Sequence, residues 1–232
     1  MKNWKIAAAC GFSLAVLAGV ASAQMGMGMR GGPTPHGFFN PVVGSGSDYE
    51  ITTQDGKKTN IEYAIVGKES VDGKDGYWME WTTSGGGTGM GQMVMKVLTV
   101  VGDNTVTSRM IMQMPGRPPM EMPSQMTGRM NGQAQGQSQS PTTDIRGASQ
   151  DVGSESITVP AGTFSCEHYR AKDGSSDTWV STKVSPLGVV KYQGKDSTMV
   201  LTQVVTDAKD KITGTPQPFN PMMMMQQGPP NQ

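Results

Sequence analysis

Cysteine, histidine and net charge are scarce in this chain, and each scarcity closes off a class of function. Among 232 residues there are two cysteines, Cys10 and Cys166, and two histidines, His36 and His168. Cys10 lies in an apolar run near the N-terminus that is expected to be removed. Cys166 is then alone, an intramolecular disulfide is excluded, and stability must come from packing. Lys and Arg together number 19, as do Asp and Glu. No basic stripe is available to neutralise a run of phosphates, so no nucleic acid is expected as a partner. After the first apolar run no other reaches spanning length, so the mature chain is expected to be soluble with no transmembrane span. The sequence also lacks HExxH, CxxC and Gly-x-Ser-x-Gly motifs and an Asp-x-Asp-x-Asp-Gly calcium loop.

The N-terminus carries a compartment signal. Lys2 and Lys5 precede an apolar run from Ile6 to Val20, and Ala21-Ser22-Ala23 supplies small side chains where a signal peptidase reads. Residues 1–23 therefore read as a secretory signal peptide, cleaved between Ala23 and Gln24. The expected localisation is periplasmic or secreted. A lipid anchor is not expected, because Leu17-Ala18-Gly19-Val20 has valine where a lipid-carrying cysteine would stand. Removing Lys2 and Lys5 leaves a slightly acidic chain of single-domain size.

Three stretches are too poor in large apolar residues to offset the entropy of ordering them. They are the N-terminal segment 24–46, with its Gly/Met/Pro start; the insertion 115–143, rich in Pro, Gly, Gln and Ser; and the Met/Pro/Gln tail 214–232, with Met222 to Met225 in a row. All three are expected to be disordered. The remaining residues, 47–213, form a single β domain interrupted by that insertion. DYEITTQ (48–54), KTNIEYAIV (58–66) and YWMEWTT (77–83) are short, β-branched and aromatic. SITVP (156–160), TFSCEHYRA (163–171), TWVSTKV (178–184), LGVVKYQ (187–193) and STMVLTQVVT (197–206) repeat the pattern. Asp55-Gly56, Asp75-Gly76 and Asp173-Gly174 read as hairpin turns. A short helix is allowed only near 206–212. The fold class is mainly β, an antiparallel meander of about ten strands curled into an unclosed half-barrel.

Within residues 155–206 the runs ESITVPAGTFSCEHYR, DTWVS and SPLGVVKY resemble a pattern of exported bacterial domains of unknown function. Those domains are similar to the lipoprotein-carrier (LolA/LolB-like) superfamily. The likeness rests on the Val159-Pro160-Ala161-Gly162-Thr163-Phe164 turn and the spacing from Trp179 to Pro186-Leu187-Gly188. It implies an antiparallel half-barrel with a concave apolar face that holds a lipid or acyl chain, and it transfers no functional residue.

Methionine is what the chain has in excess, 20 residues including Met1. Met25/Met27/Met29, Met93/Met95, Met110/Met112/Met114 and Met120/Met122 recur with spacing two, which in a strand places each set on one face. A hairpin of 92–101 with 105–114, turning at Asp103-Asn104, would set Met95 against Met112, Met93 against Met114 and Val97 against Met110. A three-residue loop would break that ladder. Such a face can pack as an adaptable core or cleft. Alternatively, Met93, Met95, Met110, Met112 and Met114 can bind Cu(I) or Ag(I) through soft thioethers.

Other residue chemistry is sparse. Cys166 and His168 share a strand face, as a thiolate–imidazole nucleophile would require, but no third group orients the histidine. Cys166 is expected to pack as a small hydrophobe and His168 to sit at a strand edge. The glycine-rich stretch 84–91 lacks a phosphate-loop ending and reads as an inter-strand loop. Trp78, Trp81 and Trp179 are candidates to line an apolar cleft, with Trp78 and Trp81 on opposite faces of one strand. An outer-membrane barrel is disfavoured by polar strands and the ending Pro229-Pro230-Asn231-Gln232. The expected function is a non-enzymatic exported protein, without cofactor, that binds an apolar small molecule or a protein partner on a curved sheet. The alternative is a periplasmic Cu(I)/Ag(I)-binding protein.

Overall fold

The computed structural model describes residues 37–85, 92–102, 106–125, 127 and 144–220. The signal segment with Ala23 and Gln24, His36, residues 86–91 of the glycine-rich stretch, the expected turn residues Asp103 and Asn104, and the Met222–Met225 run lie outside them, whereas Ser84 and Gly85, expected in a loop, end β3. The first block forms β1 (Ser45–Thr53), β2 (Lys58–Val71), β3 (Lys74–Gly85), β4 (Met93–Val100), β5 (Val106–Gln113) and β6 (Met120–Glu121). A helical turn, Ile145–Ala148, leads into β7 (Ser149–Val159), β8 (Gly162–Ala171), β9 (Ser176–Val180), β10 (Val189–Gly194), β11 (Ser197–Thr206) and β12 (Gln217–Pro218).

These strands make one mainly antiparallel sheet, not closed into a barrel, in the order β12-β6-β5-β4-β3-β2-β1-β11-β10-β9-β8-β7. Each block is a meander, because short turns favour pairing of sequence neighbours. The long β1–β11 ladder, with Ile51 opposite Met199 and Tyr49 opposite Leu201, fuses the two meanders. The β2–β3 turn is Asp72-Gly73, with φ of 51° and 76° and Val71 paired to Lys74. Positive φ at both positions is what a two-residue turn of that twist needs. Asp75-Gly76, expected as a turn, instead lies inside β3.

One sheet face carries the core. Tyr49, Ile51, Tyr63, Ile65, Met79, Met199 and Leu201 project from it and are buried. Over its centre sits the β9–β10 connection, whose Val184 and Leu187 are fully buried. Tyr49 Oη donates to the Val189 carbonyl at 2.9 Å, and Ser47 Oγ donates to the Ser185 carbonyl. Residues 37–44, expected to be unfolded, pack against this connection. Phe38 N–H donates to Leu187 O at 3.1 Å and Asn40 N–H to Pro186 O at 2.8 Å. Phe38 is buried; one aromatic anchor and these main-chain bonds offset the ordering cost that composition alone predicts.

The sheet therefore begins at Ser45 rather than residue 47, and two other segments expected to be disordered are partly structured. Residues 119–121 and 217–219 pair with each other, Gln217 N–H to Pro119 O at 2.9 Å and Phe219 N–H to Glu121 O at 3.0 Å. Residues 207–212 contain no helix. They begin a strap across the second sheet face that ends at β12. Ala208 N–H donates to Gly44 O at 2.7 Å, Thr213 N–H to Gln113 Oε1 at 2.9 Å, and Lys96 pairs with Asp210. Ile212 packs on Trp78, Leu98 and Ile111.

Candidate functional site

The core face changes character from the sheet centre towards β6. On β1, β2, β10 and β11 its buried side chains are chiefly aromatic and branched aliphatic. Along β4 the inward positions are Met93, Met95, Val97 and Thr99; Met110 and Met112 on β5 and Met120 on β6 continue the face, with Met114 and Met122 just past the strand ends, so that most of these positions are methionine. The outward positions between them, Val94, Lys96, Ile111, Gln113 and Glu121, include none. Drift towards methionine without regard to position would populate both faces. Strand propensity does not explain the pattern either, since strands favour β-branched and aromatic residues.

Register builds the site. Met95 stands opposite Met112 and Val97 opposite Met110, although the strands close at Val100–Val106 and not beside residues 103–104. A bulge between Leu98 and Thr99 absorbs the longer connection and keeps the thioethers in phase. The row extends both ways, with Trp81 opposite Met95 and Met120 opposite Met112. Met79 opposite Val97 lies in the next row. Met95, Met110, Met112 and Met120 are buried, whereas Met93, Met114, Met122, Tyr77 and Trp81 are half-buried around them. The five methionines proposed from spacing thus share one face. Met120 and Met122 show the same spacing of two, but they fall in a proline-rich segment without strand signals, so nothing in the sequence assigns them to the ladder. Unbranched thioethers adapt to irregular apolar shapes and are soft ligands for soft cations.

The three tryptophans are not brought together. Trp81 faces the methionines. Trp78 faces the other way, its Nε1–H donating to Glu69 at 3.0 Å, with Lys96 Nζ 4.9 Å and Arg109 Cζ 5.1 Å from its ring centroid. Trp179 stacks on His168 at 4.5 Å and donates to Glu155 Oε1 at 2.6 Å.

His168, expected at a strand edge with no group to orient it, is instead buried, with β7 and β9 paired on either side of it, and is held by carboxylates and not by the thiol. Its Nδ1 lies 3.1 Å from Glu155 Oε1, and its Nε2 lies 2.7 Å from Asp177 Oδ1. Burial pushes the Asp177 carboxyl up, but hydrogen bonds from His168 and Arg170 outweigh it and hold Asp177 below the usual range. Cys166 Sγ instead approaches the Phe164 carbonyl at 3.6 Å, and burial pushes its thiol up to about 11. That is the reverse of nucleophile activation. On the strap face, Glu80 is buried and accepts Lys211 N–H at 3.1 Å, while Lys211 Nζ pairs with Glu62. Burial raises Glu80 to about 7; the Lys211 N–H opposes the rise and Asp210 adds to it. Among the described residues no group of three or more His, Cys, Asp or Glu side chains is placed to hold a metal ion. No helix there is long and apolar enough to cross a membrane.

No protein-family model and no curated protein sequence matches the chain. Among solved structures it is similar to a candidate lipoprotein from Parabacteroides distasonis ATCC 8503, with 14% identity over 73% of this chain and 98% of that one and a TM-score of 0.36. It is also similar to a candidate exported protein with a YmcC-like fold from Bacteroides fragilis NCTC 9343. There the identity is 15%, over 73% of this chain and 99% of that one, with a TM-score of 0.35. At these scores the reading of function rests on the side chains.

Proposed function

We propose that this chain is an exported, non-enzymatic β protein that takes an apolar ligand, a lipid or acyl chain, on the methionine-lined part of its core face. The observation that carries the reading is the segregation of thioethers to the inward side of β4 to β6, rimmed by half-buried Met93, Met114, Tyr77 and Trp81. An acyl chain has no fixed shape, and flexible, polarizable side chains accommodate it without a preformed rigid slot. The resemblance of residues 155–206 to lipoprotein-carrier domains agrees with such cargo, as does the expected signal peptide. The buried, proton-retaining Cys166 and the carboxylate-held His168 support a binding role over hydrolysis.

The test is native mass spectrometry and solvent extraction of the full chain, followed by titration with a fluorescent fatty acid. A co-purifying acyl lipid, or saturable binding that Met112→Gln weakens while Met112→Leu retains it, supports the proposal. Absence of both overturns it.

A further inference from the structure

We propose that Met95, Met112 and Met120 form a thioether site for a soft monovalent cation, Cu(I) or Ag(I). This goes beyond acyl binding and does not depend on it. The three side chains sit directly opposite one another on the adjacent strands β4, β5 and β6. Directly opposed residues in antiparallel strands have Cβ atoms about 5 Å apart, within the reach of unbranched side chains that converge on one point. All three are buried, so water does not compete for an ion held there.

The donor set selects the ion. Thioether sulfur is a neutral, soft ligand that suits Cu(I), whereas magnesium and calcium need oxygen, and zinc takes thiolate, imidazole or carboxylate. The row contains none of those groups. Trp81 occupies its fourth place, opposite Met95, and an aromatic ring beside a buried cation adds attraction. The site lies one strand in from the sheet edge, where β6 and its outer neighbour β12 are each two residues long and Met122 is half-buried. The site differs from the five-methionine set suggested by spacing. It gains Met120 and leaves Met93 and Met114 at the rim.

An ion bound there would also tie β6 to β5. The pairing of β6 to β5 covers Ile111–Glu121 and Met112–Met120, continued by Met122 N–H to Met110 O at 2.9 Å, so binding should slow amide exchange at Met120 and Glu121.

The experiment uses the full chain labelled with 13C at the methionine ε-methyl groups. It is titrated with Ag(I) as a redox-inert probe and, anaerobically, with Cu(I) against a competing chelator. Resonances are assigned by single Met→Leu variants, which conserve volume and leave the fold intact. Expected is an early shift of the Met95, Met112 and Met120 signals, with binding weakened about tenfold or more in Met112→Leu. Met199→Leu, a buried methionine outside the row, should bind as the parent does. Either of two results overturns the proposal: shifts confined to other methionines, or Met112→Leu binding at parental affinity.

Discussion

The Glu80 carboxylate accepts the main-chain N–H of Lys211 at 3.1 Å, joining the middle of β3 to the C-terminal strap across more than a hundred residues of sequence. Glu80 is 1% exposed, so this buried acid is the strap's inner anchor. Lys96–Asp210 and Lys211–Glu62 flank it, and partly exposed pairs of that kind contribute little individually.

The Glu80 anchor predicts an unusual pH dependence. Its folded-state pKa, about 7, lies above the ordinary 4.5. The protonated acid is therefore the form that folding favours. Glu80 contributes stability that is complete below about pH 4.5 and is lost as the pH rises through about 7. Glu80→Gln keeps an acceptor for Lys211 N–H and removes the titration. The melting temperature of Glu80→Gln relative to the parent should therefore rise steadily between about pH 5 and about pH 8. A difference that stays constant over that range in thermal circular dichroism contradicts the assignment.

The core face should respond unevenly to truncation. Leu187 is fully buried between the sheet and residues 37–40, where little can relax into a cavity. Leu187→Ala should cost about 2–5 kcal/mol in urea unfolding. Met112→Leu conserves volume among flexible neighbours and should cost less than about 1.5 kcal/mol. Equal losses at the two positions would show that the methionine half is packed as tightly as the centre.

How much of this was legible depended on whether a local rule or a distant contact decided the outcome. Alternation revealed most of the strands and placed Trp78 and Trp81 on opposite faces. Spacing put Met95 against Met112, although the register survives through a bulge at Leu98/Thr99 that no turn rule supplies. Asp75-Gly76 is a sound turn dipeptide, yet Asp72-Gly73 three residues earlier takes the turn, and a bulge between Ile65 and Gly67 then brings Tyr63 opposite Trp81. The docked segment 37–44, β6, β12 and the strap were invisible for one reason. Their own composition buries little, and each is ordered by partners far away in sequence, as Phe38 is by Leu187 and Pro119 by Gln217.

Gly37 makes that docking testable. A Cβ built at Gly37 would lie 1.7 Å from the Leu187 carbonyl oxygen, a main-chain atom that cannot move aside. Gly37→Ala should therefore release the Phe38–Leu187 and Asn40–Pro186 hydrogen bonds while leaving the β1–β11 ladder paired. Amide exchange should quicken at Phe38 and Asn40 but not at Ile51. In contrast, Gly56→Ala meets no neighbouring atom. Its cost comes from the backbone alone, at φ 78°, about 1 kcal/mol.

Cys166 offers the sharpest check on the absence of thiol chemistry. The side chain is 2% exposed, and burial, with a smaller contribution from Glu155, lifts its pKa to about 11. At pH 8 the thiolate fraction is then about one in a thousand, and even that fraction is screened from solvent. In a Cys10→Ser background, where Cys166 is the sole thiol, the native protein should react with a disulfide reagent no faster than it unfolds. Addition of guanidinium should make the reaction complete within minutes. A native Cys166 that reacts at the rate of a free thiol would place it at the surface beside an activating group, and would reopen the nucleophile reading that the His168–Asp177 and His168–Glu155 contacts close.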